Sequence, residues 1–147
     1  YAMNVVLDVN ILFSAVMKDS TTRNILMTSD NEFFFPEESL VKIKKYESLL
    51  LQKSGLGEEE LRDLLKLLFR IVQVVSTNDT LQQWEKAKVL MERVDSEDVP
   101  ILATALSIQS AIIWSDDAHL TKQDVVRVFT TREIINVLSD ERFSDES

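Results

Sequence analysis

Two rhythms of apolar residues alternate along this chain. Short, unbroken runs rich in β-branched and aromatic residues predict buried strands. They fall at Asn4–Leu7, Glu32–Phe35, Ile71–Val75, Ala111–Ser115 and Val125–Phe129. Between them apolar residues recur every three or four positions, the spacing of a helix with one buried face. Leu61, Leu64, Leu65 and Leu68 form such a face, in a helix opened by Glu58-Glu59-Glu60. Acids there favour the positive end of the helix dipole. Leu81, Trp84, Ala87, Leu90 and Met91 line the inner side of a second helix over Asp79–Arg93. Shorter helices are predicted over Ile11–Met17 and over Thr21–Thr28, the latter capped by Thr21 or Thr22. Pro36 suits the first turn of one long helix from Glu37 to about Lys53, which Ser54-Gly55-Leu56-Gly57 stops. Asp98 is placed to cap a helix with Pro100 in its first turn, running to about Ser110. Thr130 or Thr131 caps a last helix through Leu138, and the polar tail from Ser139 is expected to fray.

Strands separated by helices predict an α/β fold: three layers, with a mostly parallel central sheet of about five strands flanked by helices. Right-handed crossovers would bring the strand C-termini to one edge, where open α/β sheets bind ligands. Two runs end at that edge in carboxylates. Val5-Val6-Leu7 leads into Asp8, and Ala111-Ile112-Ile113-Trp114 leads into Ser115-Asp116-Asp117. With no linker or repeat, residues 3–138 read as a single domain, with Tyr1-Ala2 preceding Met3 as the expected native start.

Composition narrows the chemistry of that edge. There is no cysteine and one histidine, which excludes disulfides and thiolate metal sites and disfavours a histidine-rich zinc site. The absence of cysteine favours a reducing, cytoplasmic location. Clustered carboxylates without soft donors suit hard divalent cations, Mg²⁺ or Mn²⁺. The net charge of −9 argues against a passive nucleic-acid coat protein. It leaves a nuclease open, because bound cations offset charge locally. No apolar run approaches the roughly 20 residues that cross a bilayer, so no membrane role is expected.

These motifs, in this order, resemble a PIN domain, the fold of many metal-dependent ribonucleases and of the toxins of VapBC-type toxin–antitoxin pairs. The resemblance spans roughly Met3 to Leu138. It rests on Asp8-Val9-Asn10 after the first strand, on Asp98-Val99-Pro100 followed by small and apolar residues, and on Trp114-Ser115-Asp116-Asp117 with Leu120 close behind. The closing strand and Thr130-Thr131-Arg132-Glu133 fit as well. The resemblance implies that Asp8, Asp98 and Asp117 are catalytic and hold Mg²⁺ or Mn²⁺, with Asn10 and Ser115 fixing ligands and substrate. It implies RNA as substrate, and as further partners a cognate antitoxin protein and a second copy in a homodimer. One position departs from the pattern. The family carries a glutamate in the helix after the second strand, and the matching position here is Lys42. Glu38, one helical turn earlier, shares that face and offers a substitute oxygen, whereas Glu37 points elsewhere around the helix.

Each residue also has a plainer role to weigh. Asn10 suits a helix start, Asp98 a helix cap, and Ser115, Asp116 and Asp117 an ordinary turn. Lys42, Lys44 and Lys45 read as a solvated face or as phosphate contacts, and His119 as a surface histidine. The rival to a nuclease is a catalytically weakened PIN-like domain acting as a binding or regulatory module, with Lys42 in its favour. A phospho-acceptor domain fits less well, since it expects a lysine at the end of a late strand, where Arg127 lies inside the run.

Overall fold

The structure, a computed structural model, describes residues 2–91 and 95–137. Tyr1, the end of the helix expected to reach Arg93, Leu138 and the tail from Ser139 lie outside them. Five strands form one sheet: β1 (Asn4–Leu7), β2 (Glu32–Pro36), β3 (Val72–Val75), β4 (Ile112–Trp114) and β5 (Val128–Phe129). Their order is β3-β2-β1-β4-β5, and all four pairings are parallel. The α/β architecture expected from the apolar rhythm is therefore the one observed.

β1 lies at the centre, which explains why its sequence is unbroken and not alternating. Val5, Val6 and Leu7 are each 0% exposed. The period of two survives in where each side chain goes. Val5, Leu7, Phe33, Phe35 and Trp114 enter one core, and Val6, Phe34 and Ile113 enter the other. The first core is covered by α1 (Val9–Ala15), α2 (Thr21–Thr28), α4 (Glu47–Ser54) and α5 (Glu58–Ile71). The second is covered by α6 (Thr77–Met91) and α7 (Val99–Ser107). Each buried side chain of this size stabilises by about 1.5–3 kcal/mol.

Several boundaries differ from those predicted, each for a local reason. The single helix expected from Glu37 to Lys53 is three pieces: a 3₁₀ turn at Glu37–Ser39, α3 (Leu40–Lys45) and α4. The break falls at Tyr46, with φ −101° and ψ 13°. Its ring meets Phe13 of α1 edge-on, with centroids 5.9 Å apart. The break costs little hydrogen bonding. Tyr46 N–H still donates to Lys42 O at 3.0 Å, and Leu50 N–H to Tyr46 O at 2.9 Å. β5 is cut to Val128–Phe129 because the buried Gln123 side chain serves the backbone before it. Gln123 Nε2 donates to Leu120 O (2.9 Å) and Val126 O (2.8 Å), and its Oε1 accepts from Val125 N (3.0 Å) and Val126 N (2.9 Å). The cap of α2 is Ser20, whose Oγ accepts from Arg23 N, and not Thr21 or Thr22. Ile71 completes α5 and does not begin β3. A last helix over 131–137 opens with a reciprocal cap between Thr130 and Glu133.

Candidate functional site

Asp8 stands where β1 ends and α1 begins. Its N–H donates to Trp114 O at 3.1 Å, which carries the sheet ladder one residue past the strand. Although Asp8 occupies the cap position of α1, its side chain makes no capping bond. Instead Ser115 Oγ donates to Asp8 Oδ2 at 2.7 Å. The same hydroxyl accepts from Asp117 N at 3.0 Å. Ser115 is held in turn by its own N–H donating to Phe129 O. One buried serine thus ties the end of β1 to the turn after β4. Burial raises the pKa of Asp8, and the nearby Asp117 charge adds to this. The Ser115 hydroxyl and the main-chain amides of Val9 and Asn10 pull it back.

Asp98 closes a 3₁₀ turn, Ser96–Asp98, just before α7. The predicted side-chain cap does not form, because the turn holds Asp98 at φ −88°, ψ −2° instead of in the extended shape a cap needs. Asp95 caps the turn instead, its Oδ1 accepting from Glu97 N at 2.9 Å. Asp98 is 9% exposed, and its Oδ2 is buried with no hydrogen-bond partner among the described residues. Its pKa is raised to about 6, by burial first and then by the charges of Asp117, Asp8 and Asp95. Lys42 acts in the opposite sense. Asp8, Asp98 and Asp117 therefore act on one another electrostatically near the C-terminal edge of the sheet, an acidic cleft with Lys42 beside it. Among the described residues, however, the ligand atoms of these three do not all lie within 4.8 Å of one another.

The remaining candidates divide. Asp117 Oδ1 accepts from His119 N at 2.9 Å and lies 3.2 Å from His119 Nδ1. Asp116 faces away, accepting from Thr131 N and Thr131 Oγ1 at 2.7 Å each. The main-chain amide of Asn10 lowers the Asp8 pKa without forming a capping bond, and its exposed side chain makes no hydrogen bond to that carboxylate among the described residues. Glu37 is committed to the start of α6, where Oε2 accepts from Thr77 N at 2.9 Å and Thr77 Oγ1 at 3.2 Å. Glu38 has both carboxylate oxygens buried and unpartnered among the described residues. Lys42 Nζ lies 3.8 Å from Glu97 Oε2, whose side chain is largely exposed.

Sequence reasoning missed Asp95 and passed over His119. Together with Asp98 they offer ligand atoms within 4.8 Å of one another. Both lie close in sequence to predicted site residues, Asp95 three before Asp98 and His119 two after Asp117, but two turns are needed to bring them together. The donor set fits a hard divalent cation. It is rich in carboxylate oxygen, one oxygen is buried without a donor, and the charge of Asp95 adds to the raised pKa of Asp98.

The sequence profile of the PIN domain family matches residues 6–139. The chain belongs to the PIN domain family. Its fold is shared by a chain in the crystal structure of VapBC2 from Rickettsia felis bound to a DNA fragment from their promoter. The TM-score is 0.65 at 14% identity, over 87% of this PIN domain and 98% of that chain. No curated protein matches the sequence. Among the described residues, no helix of this PIN domain is long and apolar enough to cross a membrane.

Proposed function

We propose that this PIN domain is a metal-dependent endoribonuclease acting on single-stranded RNA, with Asp8, Asp98 and Asp117 holding Mg²⁺ or Mn²⁺. The observation that carries the reading is Asp98. It is a buried carboxylate that caps nothing, leaves Oδ2 unpartnered and is strained electrostatically by three other acids, Asp117, Asp8 and Asp95. A bound ion supplies a water of lowered pKa and neutralises charge on the scissile phosphate. The protein's part is to hold oxygens in place. Ser115 fixes Asp8 Oδ2 and, through Asp117 N, the turn that carries Asp117. The amides of Val9 and Asn10 favour ionised Asp8. Lys42 offers a cation to a phosphate entering beside Asp98, and Glu38 is an outer residue of the site. The likeness to a VapBC2 chain supports a toxin role with a cognate antitoxin protein as partner, and the absence of cysteine favours a cytoplasmic location. A homodimer is part of the same proposal.

The test is cleavage of end-labelled single-stranded RNA with Mn²⁺, with Mg²⁺ and in excess chelator. Cleavage with either ion, lost with chelator and lost in Asp8→Asn, supports the reading; equal cleavage in chelator refutes it. A second reading, a weakened domain that acts by binding, is favoured by Lys42, whose charge beside Asp98 opposes cation binding. It predicts RNA binding without turnover in any metal.

A further inference from the structure

Beside the acidic cleft lies a cavity of about 420 Å³ whose walls include Asn10, Phe13, Lys42, Tyr46, Leu49 and Lys53. Its size falls in the range of small-molecule sites, roughly 300–1,000 Å³. We propose that it seats one nucleotide of single-stranded RNA next to the scissile position, with the base against Phe13 and Tyr46 and the flanking phosphates against Lys42 and Lys53. The proposal rests on the nuclease reading for its substrate class.

Three observations point to this occupant. The first is the aromatic pair. Phe13 and Tyr46 meet edge-on at 72°, yet Tyr46 remains 39% exposed and Leu49 44% exposed. A pair that served only to pack α1 on α3 would be covered. Lys45 Nζ lies over one face of the Tyr46 ring, 5.4 Å from its centroid, and the aromatic surface left open in the groove is the kind of platform on which unpaired bases stack, whatever their identity. The second is the local sign of charge. The chain carries 25 acids against 16 lysines and arginines, but this cavity presents Lys42 and Lys53 against one acid, Glu97. Glu97 is exposed and sits at a loose 3.8 Å from Lys42. Two cations at the rim of an aromatic cavity match a polyanion of stacking bases. The third is continuity with the cleft. Asn10 lies two residues after Asp8, and Lys42 acts electrostatically on Asp98, so a strand seated here runs directly past the carboxylates. In this arrangement Lys42 spans cavity and cleft, and the lysine that departs from the family pattern serves the substrate backbone.

The experiment measures binding apart from cleavage. A short fluorescein-labelled oligouridylate is titrated, in excess chelator, with the full chain carrying Asp8→Asn. Fluorescence anisotropy is read across a salt series for that protein and for versions adding Tyr46→Ala, Tyr46→Phe or Lys53→Ala. Tyr46→Ala is expected to weaken binding about tenfold or more, and Tyr46→Phe to restore it, because the ring and not the hydroxyl stacks. Lys53→Ala is expected to weaken binding and lower the magnitude of the salt slope by about one. Lys53 sits at the surface end of α4, so that variant stays informative if Tyr46→Ala fails to fold. Binding within twofold of the parent for Lys53→Ala, with an unchanged salt slope, overturns the proposal. So does unchanged binding in folded Tyr46→Ala, which would leave the cavity to a protein side chain. The two readings fail separately. RNA that binds through Tyr46 and Lys53 but is never cut refutes the nuclease and keeps the cavity. RNA that is cut while these variants bind normally does the reverse.

Discussion

Asp98→Asn should make the metal-free protein more stable at neutral pH while removing its affinity for Mn²⁺. The carboxyl is held at about 6 against an ordinary value of 3.8, so ionising it costs about 3 kcal/mol more in the fold than in the unfolded chain. The sign follows from proton binding. Between those two values the native state holds the proton and the unfolded chain does not, so stability falls as pH rises through this window. The full penalty is present above about pH 6 and absent below about pH 4. Asparagine removes the charge and keeps the shape. Its amide is still buried beside few donors, so only part of the penalty is recovered, about 1–2 kcal/mol at pH 8. For a chain of this length that is a rise in Tm of about 3–6 °C. Thermal unfolding by circular dichroism, in excess chelator at pH 4 and pH 8, measures both ends. The gain should vanish at pH 4, where the natural residue is protonated. In saturating Mn²⁺ the order should invert at pH 8, since only the natural protein gains stability from the ion. A variant less stable than the parent at pH 8 in chelator would refute the account of Asp98 as a strained acid.

Further outcomes follow from other contacts. Ser115→Ala removes the donor to Asp8 and the acceptor for Asp117 N; it should cost about 1–3 kcal/mol in urea unfolding and shift Mn²⁺ binding to higher pH, because Asp8 loses the bond that favours its ionised form. Gln123→Ala strips four hydrogen bonds from the backbone around Leu120 and Val126. It should destabilise by about 2–4 kcal/mol, and a loss below 1 kcal/mol would show that water replaces the amide. Lys42→Glu should tighten Mn²⁺ about tenfold in calorimetric titration, at roughly 1.4 kcal/mol for one favourable charge beside the cleft. Unchanged affinity would place the Lys42 charge in solvent.

What was legible in the sequence was whatever depended on burial along one segment. β1, β2 and β4 announced themselves because a central parallel strand is apolar on both faces. Asp8 and Asp117 stood out because charge directly after such a run has few structural excuses. What failed depended on side-chain partners that the apolar rhythm does not announce. Nothing local marks Tyr46 as a break, and the ring it meets there, Phe13, lies on another helix. Nothing marks Val125 and Val126 as outside the sheet, since their hydrogen bonds go to a glutamine side chain. Asp98 was singled out, but as a cap that also served the site. The 3₁₀ turn before α7 gives the capping task to Asp95 and leaves Asp98 free. Asp95 and His119 look like ordinary turn residues until two turns meet.

The hydrogen bond from Ser115 to Asp8 joins residues 107 positions apart, and it closes only when β4 slots against β1. The acidic cleft is therefore absent from any N-terminal portion of the chain that stops short of Ser115. On the ribosome, a growing chain of this kind carries Asp8 for most of its synthesis without a companion acid from the β4 turn. Parallel pairing across so long a span is also among the slow steps of folding. The carboxylates of this PIN domain thus come together late, with the last strands of the sheet, and a nuclease of the kind proposed would stay silent while its own message was being read.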